Sequence, residues 1–229
     1  MTATPSRTDG YDVYSLFNHV IAYRITLQDA LDSDLLAPFH YFGIADLEID
    51  DETQDDFAMF NKLTSDARID HVISKIEEYS VQKANRKGLV FCSRNDEAAC
   101  FAEAFTNRGL PSVAISGKSN DAQRDEAIRQ LEAGELCYIF SVDIMNEGVD
   151  IPAVNQIIML RRTESTIVFV QQLGRGLRKF EGKEYALVLD FIGNYQQNYL
   201  VPMALSGDRT YNKDTLRKIV KEGTVAIPG

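Results

Sequence analysis

The sequence is poor in cysteine and contains no long apolar run. Its three cysteines, Cys92, Cys100 and Cys137, form no C-x-x-C pair, and their odd count argues against a disulfide framework. We expect them to be buried as small apolar side chains in a reducing compartment. No apolar stretch approaches the roughly 18 residues that a membrane-spanning helix needs, and the N-terminus does not resemble a signal peptide. The sequence therefore predicts a cytoplasmic protein with no membrane partner.

Two nucleotide-binding motifs are also missing from the chain. A phosphate-binding P-loop has the form G-x-x-x-x-G-K-[ST]. Gly117-Lys118-Ser119 matches only the end of that form, because Ser112 stands where the first glycine is needed. No G-x-G-x-x-G follows any predicted strand, which argues against a Rossmann-like dinucleotide oxidoreductase. The chain therefore lacks a motif of its own that would cradle a triphosphate.

The charge is acidic overall and unevenly distributed. The 229 residues carry a net charge of −10, whereas nucleic-acid-binding domains are usually basic. Residues 46–56 carry seven carboxylates and no basic residue, and we interpret them as a solvated linker or loop. Residues 161–183 carry six lysines and arginines against two carboxylates. Such a basic stripe can bind phosphate despite an acidic total, so composition leaves nucleic-acid binding open.

Strand-like and helix-like patterns alternate along the chain. The predicted strands are residues 20–26, 39–44, 88–92, 112–116, 137–142, 156–160 and 185–192. The predicted helices are residues 27–34, 67–79, 96–108, 121–133 and 166–174. This alternation predicts an α/β fold with a parallel, doubly wound sheet. In such sheets ligands bind outside the carboxyl ends of the strands, so the loops that follow the strands are the informative ones.

Small hydroxyl residues and a glycine lie at the ends of three predicted strands. They are Ser93, followed by Arg94, then Ser116 with Gly117, and then Ser141. Backbone N–H groups beside such small residues can approach phosphates closely. Each residue alone could equally be a helix cap, a turn residue or a structural glycine. Their succession along one sheet favours a phosphate-binding edge.

Residues 171–178, with the sequence QQLGRGLR, hold two arginines three positions apart at the end of an apolar run. On a helix, Arg175 and Arg178 would lie on one face. Guanidinium forks pair bidentately with phosphate oxygens, and lysine cannot reproduce that geometry. The alternative is a basic helix end that suits the helix dipole. The motifs upstream favour the phosphate-binding interpretation.

Taken in this order, the motifs resemble the second RecA-like motor domain of superfamily 2 helicases and translocases. Residues 89–94 resemble motif IV, residues 141–152 resemble motif V, and residues 171–178 resemble motif VI. The resemblance spans roughly residues 2–200. It implies a RecA-like three-layer fold with a mainly parallel sheet flanked by helices.

Two further segments indicate which group of superfamily 2 helicases the chain resembles most. Residues 2–5 (TATP) resemble motif III, which closes the first motor domain in the family. Together with residues 190–195 (DFIGNY), they are most similar to bacterial DEAD/DEAH-box helicases of the type III restriction subunit kind. The P-loop and the acidic metal-binding motif belong, in the family, to a first motor domain that this sequence does not contain. We therefore expect the natural protein to be longer.

The resemblance implies a role for each matched residue. Motif VI arginines reach across an interdomain cleft to the γ-phosphate of ATP, so Arg175 and Arg178 are the candidate arginine fingers. Gln171 would support the same cleft, and the nucleotide would contact Gly148, Asp150 and Gly174. The nucleic-acid groove would include Ser93, Arg94, Ser116, Gly117 and Ser141.

The expected function is that of the C-terminal motor domain of an ATP-dependent nucleic-acid helicase or translocase, inactive on its own. ATP and Mg²⁺ would be held mainly by the N-terminal RecA-like domain of the same protein, and DNA is expected rather than RNA. Residues 1–10 would end the first domain, residues 11–200 would form the RecA-like domain, and residues 201–229 an extension. The alternative is a non-catalytic nucleic-acid- or protein-binding module that retains the fold.

Overall fold

The computed structural model describes residues 18–19, 27–46, 56–81, 84–142, 151–161 and 173–192. The strand predicted at 20–26, the residues that resemble motif III and the proposed C-terminal extension lie outside this part of the chain. So do the predicted site residues Gly148, Asp150 and Gln171. Their assignments stay predictions.

Helices and strands alternate as the sequence predicts. The helices are α1 (Leu27–Asp32), α2 (Asp56–Leu63), α3 (Asp66–Tyr79), α4 (Asn95–Asn107) and α5 (Asp121–Ala133). The strands are β1 (Phe39–Ala45), β2 (Gly88–Phe91), β3 (Ser112–Ile115), β4 (Tyr138–Ser141), β5 (Gln156–Met159) and β6 (Ala186–Ile192). Each strand and helix predicted wholly within the described residues is confirmed with its ends within two residues, and α2 is an addition. Residues 166–172 of the helix predicted at 166–174 lie outside the described part of the chain, and residues 173–176 are helical.

The described strands form one sheet in which every pair is parallel. Its order is β1-β6-β5-β2-β4-β3. Buried side chains of α3 and α4 pack against one face. The other face is covered by α5, by the turn that contains Ile151 and by Leu173 and Leu177. This is the predicted three-layer α/β architecture, and the helices lie on both faces because parallel strands need crossover connections.

Local sequence explains how the helices are set between the strands. Ile69, Val72 and Ile76 recur at helical spacing on α3, and all three are buried. Helix α5 begins with a capping box in which the side chains and backbones of Asn120 and Gln123 satisfy each other. The carboxyl ends of neighbouring strands are joined by further backbone bonds, so the loops after β2, β4 and β5 start from one edge.

The acidic stretch 46–56 differs from the solvated loop that was predicted. The side chain of Asp46 is only 2% exposed and lies 2.8 Å from Nη2 of Arg68. Asp56 begins α2, and residues 47–55 lie outside the described part of the chain. The Asp46 carboxylate is therefore buried beside Arg68 instead of being solvated.

The cysteines follow the prediction in part. All three are free thiols, and Cys92 is buried as expected, but Cys100 and Cys137 are only partly buried.

Among the helices that the structure describes, none is long and apolar enough to cross a bilayer.

Candidate functional site

The loop after β2 presents the two residues predicted from motif IV. Ser93 is exposed, and its backbone N–H donates to Oε2 of Glu97 at 2.8 Å. The Arg94 guanidinium forms a two-bond pair with Asp96, with Nε–Oδ1 at 2.9 Å and Nη2–Oδ2 at 2.7 Å. This pairing holds the pKa of the Asp96 carboxyl below its ordinary value. A carboxylate thus occupies the guanidinium fork that was predicted to bind phosphate.

The loop after β3 is a tight turn built around Ser116. Its N–H donates to Oγ of Ser119 at 3.1 Å, and the Ser119 N–H donates back to the Ser116 carbonyl at 2.9 Å. Gly117 is exposed, and a Cβ placed there would meet no atom within 4 Å. Packing in the described structure therefore does not require glycine at this position. The missing side chain leaves the turn open to a ligand that approaches from solvent.

Ser141 lies at the end of β4 and is almost completely buried. Its relative exposure is 1%, and its Oγ has no hydrogen-bond partner among the described residues. The Ser141 carbonyl accepts from the N–H of Cys92 at 2.9 Å. A phosphate reaches this hydroxyl only after the neighbouring chain has moved, so the predicted contact of Ser141 requires a rearrangement.

Residues 173–178, which we name the arginine segment, are fixed firmly to the sheet. Leu177 is fully buried, and its carbonyl accepts from the N–H of Ala37 at 2.7 Å. A Cβ on Gly176 would lie 2.6 Å from Cδ1 of Ile157 in β5. Any larger residue at 176 would therefore displace the backbone from the sheet or force that isoleucine to move.

The two predicted arginine fingers differ in their exposure. Arg175 is half-buried, whereas Gly174 and Arg178 are exposed. The helix ends at residue 176, so Arg178 lies beyond it in a bend. The expectation that both arginines share one helical face is therefore wrong for Arg178. Their relative placement depends on the backbone that follows the helix.

Lys183 binds the backbone of the arginine segment, and it was not among the site residues predicted from the sequence. Its Nζ donates to the carbonyls of Pro152 at 3.2 Å, Gly176 at 2.5 Å and Arg178 at 3.0 Å. Burial lowers the pKa of the Lys183 ammonium to about 8. The acceptors are backbone groups brought together by the fold, so no spacing of residue types could have indicated this contact.

A buried ion network of Arg68, Asp46 and Glu97 supports the loop after β2. Arg68 is 1% exposed; its Nη1 donates to Oε1 of Glu97 at 2.7 Å, and its Nε donates to Oδ2 of Asp46 at 2.9 Å. Its Nη2 donates to the carbonyl of Leu160, which follows β5. The second oxygen of Glu97 accepts the Ser93 N–H described above. The network therefore joins the ends of three strands beneath the predicted groove.

The sequence contained a signal for this network. Arg68 lies four and eight residues before Val72 and Ile76, which places it on the apolar face of α3. A charged residue on a buried helical face needs a partner, since an unpaired buried charge is costly. The position of Arg68 could therefore have been identified, although its partners could not.

A second buried polar pair lies at the end of β6. The Tyr41 hydroxyl donates to Oδ2 of Asp190 at 2.8 Å, which joins β1 to β6 through their side chains. Burial raises the pKa of the Asp190 carboxyl to about 6. Asp190 is the first residue of the segment that resembles type III restriction subunit helicases.

Comparison with known families places this site in context. Residues 68–179 match the model of the helicase conserved C-terminal domain. The matched stretch begins at the buried arginine of α3 and includes the whole arginine segment. The chain therefore carries a helicase C-terminal domain of RecA-like fold. This match agrees with the resemblance of its motifs to the C-terminal RecA-like domain of superfamily 2 helicases.

Two relatives have sequences similar to most of the chain. A 51.5 kDa protein of a Lactococcus phage is 24% identical over 200 residues, which cover 87% of this chain and 44% of that protein. A Schizosaccharomyces pombe protein, provisionally named a mitochondrial ATP-dependent helicase, is 28% identical over 195 residues, covering 83% of this chain and 32% of that protein. The chain thus spans less than half the length of these curated relatives.

Solved structures confirm the fold. A fragment provisionally assigned as the HsdR subunit of a Vibrio vulnificus type I restriction enzyme superposes with a TM-score of 0.66 at 23% identity, covering 86% of this chain and 40% of that one. The DNA-bound type ISP restriction-modification enzyme LlaBIII gives a TM-score of 0.57 at 19% identity, covering 80% of this chain and 15% of that one.

Proposed function

We propose that this chain is the C-terminal motor domain of a longer ATP-dependent nucleic-acid helicase or translocase. In this proposal Arg175 and Arg178 are arginine fingers that complete an ATPase site shared with another domain. The observation that carries it is the arginine segment, which is packed on the sheet through Gly176 and Leu177 while Arg178 is exposed. An exposed guanidinium on a fixed backbone is suited to meet a phosphate presented by a facing domain.

The nucleotide would be held mainly outside this chain. Because the sequence has no P-loop, we propose that ATP and Mg²⁺ bind chiefly to an N-terminal RecA-like domain of the same protein. Gly148, Asp150 and Gly174 would contact the nucleotide from this side, with Gln171 supporting the cleft. Mg²⁺ would supply charge neutralisation at the phosphates, and the arginines would stabilise charge that develops during transfer.

Ser93, Arg94, Ser116, Gly117 and Ser141 are proposed to form part of the nucleic-acid groove. They offer hydroxyl, backbone N–H and guanidinium groups, which bind phosphate and carry no base-reading pattern. Binding would then be independent of sequence and would weaken steeply with salt. We propose DNA rather than RNA, because residues 2–5 and 190–195 resemble helicases of the type III restriction subunit kind.

The remaining elements of the proposal concern organisation. We propose that residues 1–10 end the first motor domain, that residues 11–200 form the RecA-like domain, and that residues 201–229 extend it. The three free cysteines support action in a reducing compartment, which we propose to be the cytoplasm.

The 229-residue chain alone is expected to show no measurable ATP hydrolysis, with or without nucleic acid. The longer protein that contains an N-terminal RecA-like domain is expected to hydrolyse ATP and to be stimulated by single-stranded DNA. Phosphate release measured on both proteins tests this. Stimulated turnover by the chain alone would contradict the shared site, and an inactive longer protein would favour the non-catalytic module instead.

Replacing Asp96 by asparagine is expected to strengthen nucleic-acid binding, because it releases the Arg94 fork from its carboxylate partner. Exposed ion pairs are weak, so the gain should be roughly two- to fivefold in affinity. The asparagine oxygen can still accept the Glu97 N–H that Asp96 accepts now, so the start of α4 should be preserved. Fluorescence anisotropy with a labelled single-stranded oligonucleotide at fixed salt measures the change.

Glu126→Gln is the matched control for this experiment. It removes the same charge from an exposed ion pair with Arg129, but in the middle of α5. We expect this control to leave the affinity nearly unchanged. If Asp96→Asn binds no better than Glu126→Gln, Arg94 has no role in the groove.

A further inference from the structure

The side chain of Lys183 contacts only backbone carbonyl groups in the described structure. Its acceptors belong to two separate stretches of chain, one at Pro152 and the other at Gly176 and Arg178. Lys183 itself sits just after a turn in which Gly182 has a φ of +77° and the Lys183 N–H donates to the Phe180 carbonyl. The ammonium therefore joins the end of the motif V stretch to the arginine segment.

We propose that Lys183 is a positioning residue that fixes the backbone from which Arg178 projects. This inference rests on the proposed role of Arg178 as an arginine finger. Lys183 touches neither nucleotide nor nucleic acid in the proposal; it acts through the carbonyls on either side of Leu177. Lys183 lies outside the residues that resemble motifs IV, V and VI.

The geometry suits an ammonium group in particular. A lysine ammonium has three N–H donors that spread in three directions, and here each donor has one carbonyl acceptor. Gly176 is the last helical residue, and a lysine side chain near a helix C-terminus can bind such a carbonyl, which has no partner within the helix. The helix stops at 176, and Arg178 leaves in a bend rather than from the helical face.

Stability alone does not explain a cation at this position. Burial disfavours the charged form of Lys183, and no carboxylate among the described residues forms an ion pair with it. Lys179 in the same stretch has the ordinary arrangement, an exposed ion pair with Asp34. We therefore attribute the buried charge of Lys183 to the three carbonyls that it holds in place, and not to a gain in stability.

Fixing this backbone matters because Arg178 follows the part of the arginine segment that is packed on the sheet. Packing of Gly176 on Ile157 and the bond from Ala37 hold that part. The bond from Lys183 holds the carbonyl of Arg178, the residue that carries the proposed finger. A misplacement of about 1 Å in a catalytic constellation can cost roughly a hundredfold in rate.

The test uses the longer protein with Lys183→Met, with Arg178→Ala, and with both changes together. Lys183→Met is expected to lower kcat by roughly ten- to a hundredfold, with little change in KM for ATP. The double variant should be no slower than Arg178→Ala, because a misplaced finger and a missing finger fail in the same way. Lys179→Met is the matched control and should turn over ATP at the wild-type rate.

The pH profile separates positioning from a general structural role. The ammonium form makes three bonds, so wild-type kcat should fall as pH rises through about 8, where Lys183 loses its proton. Lys183→Arg stays charged and should keep its lower activity through that range. The other charged groups close by in the chain are Arg178, Lys179, Glu181 and Glu184, with Asp34 facing Lys179; all are present in both proteins.

The outcomes distinguish this inference from the proposed function. Full activity of Lys183→Met beside an inactive Arg178→Ala overturns the role of Lys183 and leaves the finger intact. Full activity of Arg178→Ala overturns the proposed function itself. An additive loss in the double variant shows that Lys183 acts independently of Arg178 and also overturns the inference. If Lys183→Met fails to fold, the pH profile of Lys183→Arg decides.

Discussion

Replacing Arg178 by alanine in the longer protein is expected to lower ATP turnover by roughly a thousandfold or more. Charge develops on the γ-phosphoryl oxygens only as the bond breaks, so a cation that meets this charge lowers the barrier without adding much to ground-state binding. Affinity for nucleic acid and thermal stability should therefore change little, since Arg178 is exposed. Turnover at saturating nucleic acid, with binding assayed in parallel, measures the effect.

Two further variants sharpen this experiment. Arg178→Lys should recover little activity, because a point charge lacks the planar fork of a guanidinium. Arg129→Ala is the matched control, since Arg129 is an exposed arginine in the second half of α5, away from the edge where the ligand loops start. Equal turnover in wild type and Arg178→Ala would reduce the arginine segment to a basic helix end.

Replacing Arg68 by methionine is expected to destabilise the domain by about 3–5 kcal/mol. The change leaves two carboxylates, Asp46 and Glu97, buried at 2% and 0% exposure without their cation. Removing one member of a buried ion pair is costly because the remaining charge has neither water nor a partner. Chemical denaturation of the 229-residue chain, followed by circular dichroism, measures the loss.

Arg108→Ala is the control for this second experiment. Arg108 also joins α4 to α3, through Asp66 at 3.0 Å and Asp70 at 2.8 Å, but its side chain is 30% exposed. Surface pairs of this kind contribute about 0–1 kcal/mol, so the control should lose little stability. A loss at Arg68 no larger than that at Arg108 would show that the buried ion network does not hold the domain together.

The sequence predicted the fold well because hydrophobic periodicity reports which faces are buried. Strands such as β2 are buried along their whole length, and the helix predicted at 121–133 has the observed ends. Helix α2 was missed because its first residue closes an acidic stretch that was interpreted as solvated. Asp46 was misjudged for the same reason, since its partner is 22 positions away.

The candidate site could be predicted only as far as its motifs extend. Their order identified the family and the stretch that carries the arginines. The helical spacing of Arg175 and Arg178 was misleading, because the helix ends at residue 176, between the two arginines. Lys183 escaped notice because its partners are backbone carbonyls, and the partners of Arg68 could not be identified because they are distant carboxylates and a carbonyl. Such contacts exist only after the chain has folded, so spacing does not encode them.

The pairing of β1 with β6 has a consequence for how the protein is made. In the described sheet β1 pairs only with β6, and the hydrogen bond between Tyr41 and Asp190 joins residues 149 positions apart. During synthesis β1 leaves the ribosome early, but its neighbouring strand is completed only at Ile192. Until then an apolar strand, FHYFGIA, has no partner in the sheet. Closing so long a loop is slow, and unpaired apolar strands attract other chains, so the nascent protein should depend on chaperones more than its finished fold suggests.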